Sequence, residues 1–526
     1  MKKNNKRGII FLLTSMFTLT ACSTFGFSYS PYSYKIEPKT HEELSDNSTF
    51  FRPISFTKSY QDVFRSHPTK AKKTINLDQK GEVNLLVLPI SFSDYTANEL
   101  DGKNGENARI VLENAFFGKE DRTQWESVAS YYDKVSYGQL KIKGEVMPWY
   151  ELPSDYSVAA INDKLSKNND KQVLVMNILR AAVRNFKVNF PEKVADYDLN
   201  NDNVIDAVYL VYSYPFTEVT NGNKINESFF WAYTSFDNNI HSHNVEIEGP
   251  GPYANAFSWS SYHFLNLRQS IGKNKPDTHT FIHETGHLLG LPDYYNTLAP
   301  LGNNPLGGFD MMDLAVGDHS GLSKMLFEWT YPNVVTGEGE IKIRPFNKSG
   351  DLILLTNDWN GSALDEYILL EYYAPTGINR LDSFANSTFN LPSDYGIKVY
   401  HVDARTVYVD VSISPHTVEY SEGKEKPENA LEDLAHTNTD GGVRYKLKDE
   451  NGNIITYPLY KLLERSGENT FENGNKAENA TLFTKNVVFG EDVFSDFTFH
   501  SKGKLPYNFE ITSLTKNYAI IKFMER

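Results

Sequence analysis

A single cysteine, Cys22, occurs in 526 residues. A lone thiol closes no internal disulfide, so the chain is neither a disulfide-stapled scaffold nor a holder of a cysteine-rich metal cluster. Basic residues are also in short supply: 52 Lys and Arg stand against 67 Asp and Glu, giving a formal net charge of -15. Nucleic-acid partners call for a basic surface, and this balance argues against them. Past residue 21 no apolar run approaches the roughly 18 residues that a membrane-spanning helix needs. One further gap matters below: no glutamate occurs between Glu284 and Glu328.

What is present begins with a targeting pattern. MKKNNKRG is basic, IIFLLTSMFTLTA is apolar but short, and Cys22 follows at once. Leu19-Thr20-Ala21-Cys22 resembles a bacterial lipoprotein box, in which the cysteine sulfur takes a diacylglycerol and becomes the new N-terminus. The expectation is a lipoprotein signal over 1–21, lipidation at Cys22, and a mature chain anchored to the cell membrane on its extracytoplasmic side. Residues 22–78, polar and without sustained periodicity, read as a tether or spacer and a candidate prosegment.

Two textures follow. From 79 to 335, strand-like VNLLVLPISF, VIDAVYLVYS and FFWAYTSF alternate with helical RIVLENAFFG, SVASYYDKVSYG and KQVLVMNILRAAVRNF, and LKIKGEVMPWYEL reads as a further strand. This pattern predicts a three-layer catalytic domain. From 336 to 526, EIKIRPF, DLILLTN, EYILLEYY, GIKVYHVD, VRYKLKD, FEITSLT and YAIIKFM are short β-patterned runs, with EKPENALEDLA as a candidate helix. They predict a β-sandwich-like domain. The fold class is α+β.

FIHETGHLLGLPDYYN, 281 to 296, carries the chemistry. His283 and His287 sit one helical turn apart and can grip one ion, with zinc the natural partner of imidazole. Glu284 is rotated off that pair and is placed to act as general base toward an attacking water. Some zinc peptidases take a third ligand from a glutamate about twenty residues on, and the gap up to Glu328 rules that out. In metzincins the motif continues HExxHxxGxx into a third ligand, above a methionine turn. Gly290 permits a positive φ and a sharp exit from the helix, returning Asp293 toward the ion. The expected ligands are therefore His283, His287 and Asp293. PLGGFDMMDLAVGDHSGLSK supplies the turn, with Met311 or Met312 as the floor and Met312 preferred.

These residues resemble the immune inhibitor A family of secreted bacterial metallopeptidases, within the metzincin clan. SVASYYDKVSYGQLKIKGEVMPWYELP, HETGHLLGLPDYY and GGFDMMDLAVGDHSGLSKMLFEWTYP carry the likeness, and EYILLEYY and GIKVYHVDAR extend it. The resemblance implies zinc-dependent cleavage of internal peptide bonds in protein substrates.

Weaker signals remain. Asp198, Asn200, Asp202, Val204 and Asp206 fall at alternate positions of an EF-hand-like loop, with Asn203 in place of glycine and Tyr209 where a bidentate glutamate belongs. They make a candidate calcium site. His319 is a candidate oxyanion stabiliser. His401 reads as core packing, and Asp237, His241 and His243 define no site. The leading function is a lipid-anchored zinc endopeptidase. The alternative from another class is a catalytically silent surface binding protein or adhesin on the same scaffold.

Overall fold

Strands that are apolar on both faces must be covered on both, and this requirement builds the first half of the molecule. In the computed structural model, VNLLVLPISF lies in strand Gly81–Ser91, buried along most of its length. The sheet runs Leu140–Val146, Gly81–Ser91, Val208–Tyr212, Ala256–Ser261, Tyr233–Phe236; the first four strands are parallel and the last is antiparallel. One face, through Val83, Leu85 and Val87, packs on helices Glu106–Phe117 and Val128–Val135 and on the helix that carries His283. The other, through Leu86, Leu88 and Ile90, packs on the long amphipathic helix Lys171–Asn189. The three expected layers are present.

The structure describes residues 49–64, 77–119, 121–167, 170–216, 229–236, 245–267, 275–298, 304–385, 390–410, 417–428 and 430–526. Pro38–Arg526 form one compact unit. Among the described residues no helix is long and apolar enough to cross a membrane.

In the second half a six-stranded sheet is ordered Phe50–Phe51, Asn333–Val335, Leu352–Leu355, Glu366–Tyr373, Gly396–Asp403, Tyr460–Leu463. Its side chains explain the unbroken apolar runs. Ile353, Leu355, Ile368, Leu370 and Val399 meet a four-stranded sheet through Ile341, Ile511, Ile521 and Phe523, which makes the sandwich. Leu352, Leu354, Leu369, Tyr400 and Tyr460 on the opposite face join the core that holds Phe281, Ile282 and Met312. The β-rich half thus packs directly under the metal-motif helix. A three-stranded sheet of Thr417–Tyr420, Thr406–Asp410 and Ala430–Leu434 stands beside it.

Three local expectations are corrected and one strand is added. EKPENALEDLA is not helical: Ala430–Leu434 is a strand whose Ala430, Glu432 and Leu434 are buried in alternation. VRYKLKD forms no strand and makes only the isolated bridge Lys448–Ile454. AFSWSS, assigned to no element above, is strand Ala256–Ser261, buried throughout. Its serines are satisfied in place, Ser260 by Tyr209 and Ser258 by Thr234. Finally, the segment read as spacer contributes to the folded body. Phe50–Phe51 pairs with Asn333–Val335, and the Tyr60 hydroxyl donates to the Gly290 carbonyl at 3.0 Å.

Candidate metal centre

Helix His279–Leu288 presents His283 and His287 from the same side. It ends as the sequence requires. Gly290 adopts φ +108°, the Gly290 N–H donates to the His287 carbonyl at 2.9 Å, and the Leu291 N–H reaches back to the Gly286 carbonyl at 3.0 Å. This is the closure of a Schellman-type helix end, and it reverses the chain. Asp293 is thereby returned to the helix: its Oδ1 lies 3.1 Å from Nε2 of His283 and 3.1 Å from Nε2 of His287.

Both imidazoles are held by their other nitrogen. His283 Nδ1 donates to the Met311 carbonyl at 2.7 Å and His287 Nδ1 to the Leu291 carbonyl at 2.7 Å. These bonds fix the orientation of each ring, so that both Nε2 atoms face Asp293. The methionine turn acts twice, Met311 through its carbonyl and Met312 through its side chain. A β-carbon on Gly286 would stand 2.6 Å from the Met312 sulfur, so the helix rests on Met312 where it has no side chain of its own.

Tyr294 locks the position of its neighbour Asp293. Its N–H donates to the Met312 carbonyl at 2.8 Å, its hydroxyl pairs with Ser323 at 2.9 Å, and its carbonyl accepts from Asn438 Nδ2 at 2.9 Å. Asn438 comes from the β-rich half, which therefore helps to shape the ligand turn. Sequence reasoning assigned no role to Asn438 or to Thr234, and neither sits in a motif. Tyr295, quoted with the motif but given no role, stacks its ring on that of His283 with centroids 6.5 Å apart.

The electrostatics suit a cation. Burial works against charge on His287, but the Asp293 carboxylate outweighs it and raises the imidazole to about 9. Asp293, although burial alone would raise it, is held well below the usual carboxylate range by His287 and His283. Burial raises Glu284 above its ordinary value, against the pull of both imidazoles. Thr234 Oγ1, on the edge strand, is 3.0 Å from Glu284 Oε2 and completes its environment. Donors bonded tetrahedrally to a zinc at about 2.0–2.2 Å stand roughly 3.3 Å from one another. Two imidazoles and a carboxylate at 3.1 Å match both that spacing and the preferred donor types, so these residues fit the ion.

Other expected site residues fare differently. His319 is fully buried among Tyr131, Tyr132 and Trp329, with Nε2 3.4 Å from the Tyr132 hydroxyl. That hydroxyl donates to the Ile282 carbonyl at 2.7 Å, so His319 supports the motif helix from beneath and does not face a substrate. In the Asp198 loop the side chains turn onto local backbone. Asp198 accepts from the N–H groups of Asp202 and Asn203 at 3.0 and 3.1 Å, and Asp206 from that of Leu199 at 3.3 Å. Among the described residues, two groups of three or more His, Cys, Asp or Glu bring ligand atoms within 4.8 Å of one another, and the Asp198 loop is not one of them. Calcium gains no support from this geometry. The second such group is Glu366, His401 and His500, so His401 is buried as expected but in a polar cluster. Cys22, and the Asp237, His241 and His243 stretch, lie outside the described residues.

Comparison with known proteins bears on the same region. Residues 71–324 match a family model described as immune inhibitor A peptidase M6, catalytic domain. Immune inhibitor A of Bacillus thuringiensis subsp. alesti is 24% identical over 253 residues, an alignment that covers 43% of this chain and 35% of that protein. This chain thus spans about a third of that relative's length. The match ends at Lys324, just past the methionine turn, and takes in the motif helix, Asp293 and Met312. Residues 71–324 of this chain are therefore similar to the catalytic domain of the immune inhibitor A M6 peptidases.

Proposed function

We propose that the chain is a zinc endopeptidase that cleaves proteins outside the cytoplasm, tethered to the membrane by lipid on Cys22. The observation that carries the catalytic part is the convergence of His283 Nε2, His287 Nε2 and Asp293 Oδ1 beside the buried Glu284 carboxylate. Zinc held by these three groups would supply Lewis acidity to the scissile carbonyl and lower the pKa of an attacking water toward 7.

The chain's own residues do the rest. Glu284 takes the proton of the water at its carboxylate and returns it to the leaving amine. Its raised affinity for a proton, set first by burial, suits a group that must hold one between those two steps. Thr234 steadies Oε2 during the exchange. Strand Tyr233–Phe236 stands last in its sheet and carries Thr234. A peptide laid antiparallel along its outer edge would satisfy the strand's backbone groups and bring an internal carbonyl past Glu284. Docking through main-chain hydrogen bonds favours extended protein segments, and with it cleavage away from chain ends.

The lipid anchor rests on the LTAC pattern and on Cys22 being the sole cysteine. Two acyl chains or more give stable attachment at roughly 0.8 kcal/mol per buried CH₂.

Incubation with unfolded casein tests the catalytic reading. Internal cleavage that stops on zinc chelation, and is absent from a folded, zinc-loaded Glu284→Ala variant, is the expected result. A zinc-loaded wild-type chain that cuts nothing would instead favour a binding protein on a peptidase scaffold.

A further inference from the structure

A second set of metal-competent side chains lies in the β-rich half. We propose that Glu366, His401 and His500 hold a zinc ion that ties the rim of the six-stranded sheet to the loop around residue 500.

The strand register creates the site. Glu366 opens strand Glu366–Tyr373 and is directly paired with Asp403, the last residue of Gly396–Asp403. Two carboxylates side by side on one face of a sheet repel each other. His401, two residues before Asp403, projects from the same face, and its Nε2 lies 2.8 Å from Glu366 Oε1. The loop closed by the Thr498–Lys504 bridge then delivers His500, whose Nδ1 is 2.9 Å from Asp403 Oδ2 and 3.6 Å from Glu366 Oε1. Donor atoms of Glu366, His401 and His500, from three segments, thus lie within 4.8 Å of one another.

The surroundings hold each donor in place. Arg405 forks onto both Asp403 oxygens at 2.8 Å, and His436 Nε2 stands 3.3 Å from Asp403 Oδ2. Backbone N–H groups of His500 and Ser501 donate to Glu366. The Tyr457 ring stacks on His500 at 3.6 Å, fixing its plane. Such outer partners are what orient ligands in zinc sites.

Charge and donor type point the same way. Glu366 and Asp403 are 3% and 1% exposed, and one guanidinium, Arg405, balances only one of them. A divalent ion between the imidazoles of His401 and His500 and the Glu366 carboxylate would supply a second positive charge there. Two imidazoles and one carboxylate favour zinc over calcium or magnesium, which take oxygen ligands. This site is independent of the peptidase reading.

Zinc content of the full chain, measured by inductively coupled plasma mass spectrometry after exhaustive dialysis, tests the proposal. Two equivalents are expected in the unaltered chain and one in a His283→Ala/His287→Ala variant. Adding His401→Gln and His500→Gln to that variant is expected to remove the remaining equivalent. His500→Gln alone, a change confined to a loop, gives the same loss of one equivalent in a chain that otherwise keeps its ligands. No zinc in the His283/His287 variant, or no loss on changing His500, overturns the proposal and leaves an imidazolium as the balancing charge; one equivalent in the unaltered chain that persists in the His283/His287 variant would instead count against zinc at His283.

Discussion

Thr234 Oγ1 stands 3.0 Å from Glu284 Oε2, joining the edge strand of the central sheet to the carboxylate beside the metal centre. Thr234→Val keeps the β-branched shape that the strand needs and deletes the donor. A hydrogen bond to a buried charged group contributes about 1.5–3 kcal/mol. The expected result is a roughly 10- to 100-fold fall in kcat/KM on a peptide substrate, with zinc content and melting temperature nearly unchanged. A variant with full activity would detach Thr234 from the reaction.

Asn438 lies 145 positions beyond Asp293 in sequence yet holds the Tyr294 carbonyl at 2.9 Å, while also bonding the backbone of Tyr460. Asn438→Ala leaves those buried backbone groups without partners and frees the turn that presents Asp293. Zinc affinity is expected to drop about tenfold, as for other residues that orient ligands from behind. Competition with a chromogenic chelator measures it. Unchanged affinity would make Asn438 a matter of sheet packing alone.

These two residues also mark the limit of what the chain discloses by itself. The motif was legible because its parts are local: an i, i+4 pair, a glycine that must take φ +108°, and a carboxylate three residues later. The alternation of apolar strands and helices disclosed the three layers for the same reason. Thr234 and Asn438 reach the site only through tertiary packing, and no spacing announces them. His319 misled because adjacency to the methionine turn does not say which side of the helix a ring occupies; it is underneath. Ala256–Ser261 was missed because buried serines are tolerated only where partners such as Tyr209 and Thr234 meet them. The six-stranded sheet hid its most consequential property. Runs such as EYILLEYY show that both faces are buried, but not that one of them lies beneath the metal-motif helix.

Below the methionine turn, Lys324 is fully buried and pairs with Asp318 at 2.8 Å. Burial pushes both toward neutrality, raising Asp318 and lowering Lys324, and their mutual attraction is the largest effect opposing it. Lys324→Met strands the carboxylate and is expected to cost about 3–5 kcal/mol in urea unfolding. Adding Asp318→Asn removes the stranded charge and should recover most of that loss. Equal stability of the single and double variants would contradict a coupled pair.

Asp310 caps the methionine turn by accepting the Met312 and Ser320 N–H groups at 2.7 and 2.9 Å. Burial raises it to about 6 despite those donors. Its folded pKa exceeds the unfolded value of about 3.9, so the folded state holds a proton that the unfolded state has released. Stability therefore falls as pH rises from 4 through 6 and levels off above, by roughly 3 kcal/mol if nothing else titrates. Asp310→Asn cannot ionise. Urea melts at pH 4, 5, 6 and 7 are expected to show wild type losing stability relative to the variant across that window; parallel curves would contradict the shift.

The central claim is that one carboxylate and two imidazoles share an ion. Diffraction from zinc-loaded crystals, with anomalous data collected on either side of the zinc absorption edge, tests it most directly. The account predicts a peak about 2.0–2.2 Å from His283 Nε2, His287 Nε2 and an Asp293 carboxylate oxygen. A peak bonded to the histidines with Asp293 turned away, or no peak between them, would contradict it.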